Sequence, residues 1–180
     1  MAKTNKDVFL TRLMRERDKF ELLINRIGFT RRLTLPGVLG KWSIKDLLAH
    51  VLVYEQYMAD RMYEIQHGEP YVPSRTQNAL DAFLDQFGYP DFGSPLLDDE
   101  SHLEWVVEKY RKVSLEDLVT QELNAFASIL ASLEKMPEEA IGRHNLYERI
   151  ANNTYKRYRD HSRDIHTWLL VNAPNHGDSQ

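Results

Sequence analysis

Apolar residues recur at helical spacing in four long runs, which predict four amphipathic helices. The first is expected over residues 5–27, with Phe9, Leu13, Phe20, Ile24 and Ile27 as its apolar stripe. Arg12, Arg15, Glu16, Lys19 and Glu21 fall mostly off that stripe. Thr4 and Asp7 have the spacing of a capping box, and Gly28 supplies a C-terminal stop. The second helix is predicted to start after Ser43, whose hydroxyl can accept from an orphan amide, with Asp46 near the positive helix end. Its stripe is Ile44, Leu47, Leu48, Val51, Met58, Met62 and Ile65. Gly68 ends it, and Pro70 and Pro73 oppose its resumption. A third long helix follows Ser114 and Asp117. Leu115, Leu118, Val119, Leu123, Phe126, Ile129, Leu130 and Leu133 form its stripe, and it ends near Met136 and Pro137. After a turn at Gly142, the last helix is expected from about Leu146 to Leu170, with Pro174 preventing continuation.

The stretch 69–100 is the least regular. It predicts a short helix over 78–87, then the turn-rich loop 88–95, which Tyr89 and Phe92 are expected to pin. Ser101 and Glu104 suggest a further capping box, opening a short helix to about Lys112. No alternation of strand period persists along the chain. The expected architecture is all-α: a four-helix bundle with a long, partly helical connection between its second and third long helices. Residues 1–173 are expected to form a single domain, and 174–180 a polar tail.

Composition narrows the function classes. The net charge is −4. That argues against a dedicated nucleic-acid binder, which must offset backbone phosphate with Lys and Arg. The densest basic spots, Arg31-Arg32 and Arg157/Arg159, make no long stripe. There is no cysteine, so disulfides, thiolate metal sites and a cysteine nucleophile are excluded. No apolar run suits a signal peptide or a membrane span, and a cytoplasmic protein without membrane partners is the expectation.

Candidate chemistry rests on the histidines. No two lie three or four apart, the spacing that puts two rings on one helix face. His161 and His166 are separated by five residues and diverge by about 140° around the axis. His67, His144 and His176 sit at predicted ends or in the tail, where solvent exposure is the simplest reading. His161 shares a face with Thr154, Tyr158, Ile165 and Trp168, the face the last helix would turn inward. His50 lies between Leu47 and Tyr54, on the flank of the second helix's stripe. If these helices pack side by side, His50 and His161 meet, either as hydrogen-bonded core histidines or as two ligands of a metal completed by water. Tyr54, Glu55 and Tyr57 follow His50, and Arg157 precedes His161 by one turn. That group would suit an anionic or polar small molecule, or general acid–base work. The tyrosines serve equally as core residues with hydroxyls at the rim. Asp46 with His50 and His161 with Asp164 have the spacing of intrahelical pairs. Gly-rich phosphate loops, the HExxH zinc motif and the GxSxG nucleophile elbow are all absent.

The segment Gly40 to His50, GKWSIKDLLAH, resembles the second-helix signature of the DinB/YfiT-like superfamily. The region from Tyr89, YPDFGSP, and Asn153 to His161, NTYKRYRDH, look more narrowly like its ClbS/DfsB branch. The resemblance implies a DinB-like four-helix bundle, often a homodimer, with a divalent-metal site built from one histidine of the second helix and two of the last. His50 and His161 match two of these positions. The third falls at position 157, where this chain has Arg157, a permanent cation that cannot ligate. The resemblance therefore implies a depleted site for zinc or nickel. It implies metal-dependent, thiol-using transferases and isomerases, and, within the branch, protection against a reactive natural product, in one case by hydrolysis. The expected function is hydrolysis or group transfer on a reactive small molecule, of a detoxification or self-protection type. The pocket would be lined by Trp42, Tyr54 and Arg157 beside His50 and His161. A non-catalytic protein that binds or sequesters a small molecule is the second expectation, and a structural or interaction role through a helical dimer face the third.

Overall fold

A computed structural model describes residues 4–28, 32–68 and 99–172, with the backbone alone at 99–102. The predicted helix at 78–87, the loop at 88–95 and the tail at 174–180 lie outside the described residues. Those described are predominantly helical and hold no strand, only an isolated bridge between Leu39 and Trp42. The fold class is all-α. The helices are α1 (Asn5–Ile27), α2 (Ile44–His67), α3 (Asp99–Tyr110), α4 (Leu115–Lys135), α5 (Glu138–Arg143), α6 (Leu146–Asn153) and α7 (Tyr155–Asn172). None of them is long and apolar enough to cross a membrane.

The helix starts follow the local chemistry read from the sequence. Thr4 and Asp7 form a reciprocal capping box at α1, and Ser43 and Asp46 form another at α2. Ser114 accepts from the Asp117 amide and caps α4. Gly68 closes α2 in the left-handed region at φ 66°, which glycine reaches without a Cβ penalty. The helix predicted to open at Ser101 begins two residues earlier, at Asp99, and ends at Tyr110.

The predicted last helix is two helices. Thr154 breaks it with φ −131° and ψ −103°. Thr154 Oγ1 donates to the Ile150 carbonyl at 2.6 Å, and Asn153 Nδ2 donates to the Arg149 carbonyl at 2.8 Å. Such bonds back to the preceding turn compete with the backbone ladder and bend helices. Beyond the break the expected face survives: Thr154, Tyr158, His161, Ile165 and Trp168 are all buried.

Helix α2 is the centre of the packing. It makes its most extensive contact with α4, then packs on α3, α6 and α7, while α1 lies along α7. Every residue from Leu47 to Glu55 is buried, so this segment has no solvent face. A single stripe was expected for α2; a helix enclosed on all sides is what the packing produces. Leu13, Leu47, Val51, Met58, Leu118, Ile129 and Ile165 belong to one continuous apolar core around it. Lys6 ties the start of α1 to the α4–α5 connector, its Nζ donating to the Met136 carbonyl at 2.6 Å.

Candidate functional site

His50 and His161 meet. His50 Nδ1 and His161 Nε2 are 3.1 Å apart, both residues are buried, and the two rings are inclined by 60°. The Ser43 cap fixes where α2 begins, and so sets the face on which His50, two turns in, emerges. The Thr154 break and the apolar side of α7 turn His161 toward it. Where the two rings bond directly at 3.1 Å, one donates and the other accepts, so their tautomers are linked. His161 Nδ1 faces Asp164 Oδ2 at 3.9 Å, and no described group lies within hydrogen-bond distance of that nitrogen. A carboxylate on that side favours a proton on His161 Nδ1, leaving Nε2 to accept from His50 Nδ1–H. His50 Nε2 is then the basic nitrogen of the pair. Asp46, by contrast, is engaged with its own cap: the Ser43 amide donates to it at 2.8 Å and the Ser43 hydroxyl at 2.7 Å.

Tyr54 stands edge-on to His50, with ring centroids 4.7 Å apart. Arg157 is half-buried and lays its guanidinium over the Tyr54 ring, 4.1 Å from the centroid. Arg157, Tyr54, His50 and His161 thus form one connected group. Trp42 is half-buried in the turn before α2, and its ring carries the Lys41 ammonium at 4.6 Å. Two cavities, of about 160 Å³ and about 440 Å³, lie elsewhere: neither is lined by Trp42, His50, Tyr54, Arg157 or His161. His67 is exposed and stacks on Tyr63, His144 ends α5, and His166 is exposed. His102 and His176 have no described side chain.

The donor set does not fit a divalent metal among the described residues. A catalytic zinc site uses three protein ligands. Here only two imidazole nitrogens converge, and among the described residues no group of three or more His, Cys, Asp or Glu is assembled. Arg157, at the position four before His161, is a permanent cation that cannot ligate.

One turn along from the histidines lies a charged layer that the hydrophobic pattern did not disclose. Arg17, Glu55, Glu122 and Tyr158, from four different helices, are all buried. Arg17 clamps Glu122 with two nitrogens, one of them at 2.5 Å, and reaches Glu55 at 3.3 Å and the Tyr158 hydroxyl at 3.2 Å. Tyr158 donates to Glu55. Phe126 lies under the guanidinium at 4.6 Å, and Phe20 stacks on Tyr158 at 5.0 Å. Burial drives the Glu55 carboxyl well above its ordinary value of 4.5, and the neighbouring Glu122 charge pushes it further. Burial and then the Glu55 charge likewise raise the Tyr158 phenol. Glu55 Oε2 accepts no hydrogen bond from a described group, which makes it the oxygen able to carry a proton. Arg17 Nε also donates to Glu21 at 2.5 Å, so three carboxylates surround one guanidinium, and a proton on Glu55 relieves part of that excess negative charge. Sequence reading placed Glu16 off the stripe, yet it is buried as well, holding Arg159 at 3.0 Å. That pairing lowers the Glu16 carboxyl to about 2.

Compared with protein-family models, with curated proteins and with solved structures, the chain has no match in any of the three.

Proposed function

We propose that this chain is a DinB-like four-helix bundle of the ClbS/DfsB type that acts on a reactive small molecule by acid–base chemistry. One observation carries the reading: two buried histidines from distant helices meet at 3.1 Å, with Asp164 behind the second. In the proposed reaction His50 Nε2 takes a proton from water as its oxygen bonds to an electrophilic carbon. The bond from that carbon to the leaving group breaks, and the proton passes from His50 to the departing atom. His161 holds His50 in the reactive tautomer, and the Asp164 carboxylate, 3.9 Å from His161 Nδ1, favours a proton on that nitrogen through charge alone. Tyr54 and Arg157 offer an aromatic edge and a cation to a polar or anionic part of the substrate. No step runs through a metal.

Arg157 on the Tyr54 ring favours a second reading, a bundle that binds and sequesters an anionic small molecule without turning it over. Assay of the purified protein against activated aryl esters and strained-ring epoxides separates the two, with zinc and nickel content measured on the same samples. Turnover lost in both His50→Gln and His161→Gln, with unchanged circular dichroism, supports the enzyme. Binding without turnover, weakened by Arg157→Ala, supports sequestration. Stoichiometric metal lost in both histidine variants overturns the metal-free mechanism. Neither binding nor turnover of any probe counts against both readings.

A further inference from the structure

On the acid–base reading of the histidine pair, the side chains beside it also select a class of substrate. We propose that Arg157 is the carboxylate-binding residue of that site, so that the preferred substrate carries a free carboxylate about one aromatic ring away from its electrophilic carbon. Helix α7 has three arginines, and two of them are answered by carboxylates. Arg159 is held by Glu16 at 3.0 Å, and Arg163 faces Asp160 at 3.5 Å. Arg157 has no hydrogen-bond or ion-pair partner among the described residues, and its contact is with the face of the Tyr54 ring. A guanidinium partly withdrawn from water, with no carboxylate to offset it, favours an anion beside it.

The position of Arg157 sets the spacing. Its guanidinium lies 4.1 Å from the Tyr54 centroid, so the ring covers its flat face and leaves its N–H groups, which lie in its own plane, to meet an acceptor. The same Tyr54 ring stands 4.7 Å from the ring of His50. One aromatic ring therefore separates the cation from the base, and a ligand that joins them needs only a few bonds. His50, Tyr54 and His161 are buried, whereas Arg157 is half-buried. Arg157 is thus the member of the group that a dissolved anion meets first. Charge and shape select the anion. Arg61, two turns beyond Tyr54 on α2, is committed to Glu64, so Arg157 stands as a single uncompensated charge. A carboxylate is a planar monoanion whose two oxygens match two parallel N–H bonds of a guanidinium. A phosphate monoester would bring a second negative charge with no further cation to offset it. The carboxylate takes no part in bond making; it fixes where the electrophilic carbon lies relative to His50.

Hydrolysis of 3-acetoxybenzoate and 4-acetoxybenzoate by the full chain, beside their methyl esters, tests this. The free acids place a carboxylate one ring from the reacting carbonyl, and the methyl esters keep the shape without the charge. The better free acid should exceed its methyl ester about tenfold in kcat/KM, the worth of one charge-assisted hydrogen bond. Arg157→Ala should erase that preference, chiefly by raising KM, and Arg157→Lys, which keeps the charge without the fork, should restore only part of it. Equal kcat/KM for acid and methyl ester, or a preference that survives in Arg157→Ala, overturns the proposal and leaves the histidine chemistry standing. Stronger inhibition by phenyl phosphate or benzenesulfonate than by benzoate overturns the carboxylate assignment. Should no ester be turned over, the acid–base reading falls, and calorimetry with benzoate decides the carboxylate site by itself. Binding weakened about tenfold by Arg157→Ala supports it. Equal affinity in parent and variant, or no binding at roughly 10 mM, overturns it.

Discussion

Replacing Glu55 by glutamine tests whether the buried charged layer holds a proton. Glu55 is completely buried, and its ordinary value is 4.5. In the fold, burial and the Glu122 charge raise it well above that, against the pull of Arg17 and the Tyr158 hydroxyl. The folded state therefore keeps a proton that the unfolded chain has already lost above pH 4.5. Stability from this group is complete below the unfolded value and falls as pH rises toward the folded one. Each pH unit in that window costs about 1.4 kcal/mol. The loss continues for as long as the native carboxyl stays protonated while the unfolded one has ionised. Glutamine keeps the shape, can donate toward Glu122 and does not titrate. Urea unfolding of both proteins from about pH 5 upward should show the variant gaining on the parent, by up to about 1.4 kcal/mol per pH unit, as pH rises. Loss of the protonated-carboxyl stretch in the infrared spectrum of the variant is the second readout. Parallel stability–pH curves for the two proteins would refute the reasoning, because they would mean that Glu55 is already ionised in the fold.

Three further outcomes are expected. Arg157→His places an imidazole four residues before His161 on the same helix face, and should raise zinc or nickel affinity in calorimetry, with the gain lost on adding His50→Ala. Unchanged affinity would argue that positions 157 and 161 do not converge on His50. Arg17→Met leaves Glu122 and Glu55 without their cation and should cost about 3 to 5 kcal/mol in urea unfolding. Ser43→Ala removes the α2 cap and should cost about 1 kcal/mol, measured the same way.

The helix ends were legible because each depends on a few neighbouring residues. The capping pairs Thr4/Asp7, Ser43/Asp46 and Ser114/Asp117 all close as their spacing implies. The meeting of His50 and His161 was legible for a similar reason: each lies on or beside an apolar stripe, and two such stripes must face something. The charged layer was not legible. Arg17 and Glu122 read as solvent residues by type, and only position betrays them. Arg17 falls four after Leu13 and three before Phe20; Glu122 falls four after Leu118 and four before Phe126, all of them buried. On α4 the inward place assigned to Leu123 belongs to Glu122, while Leu123 is 47% exposed. The break at Thr154 was hidden because two polar side chains, not a proline or glycine, interrupt the ladder.

The two polar layers are coupled by geometry. His50 meets His161 and Glu55 meets Tyr158, so advance along α2 matches retreat along α7, and the helices run antiparallel. Five residues on α2 and three on α7 separate the layers, roughly 7 Å and 4 Å of helix. Tyr158 and His161 are one turn apart on the same face, so whatever holds the Tyr158 ring also sets the height and rotation of His161. Glu55 and Arg17 hold its hydroxyl, and Phe20 holds its face. The buried charges thus serve as the rigid footing of the histidine pair. A shape-preserving change such as Glu55→Gln should leave the 3.1 Å contact intact. Removing Arg17, which takes the cation from Glu122 and a hydrogen bond from the Tyr158 hydroxyl, should disturb it.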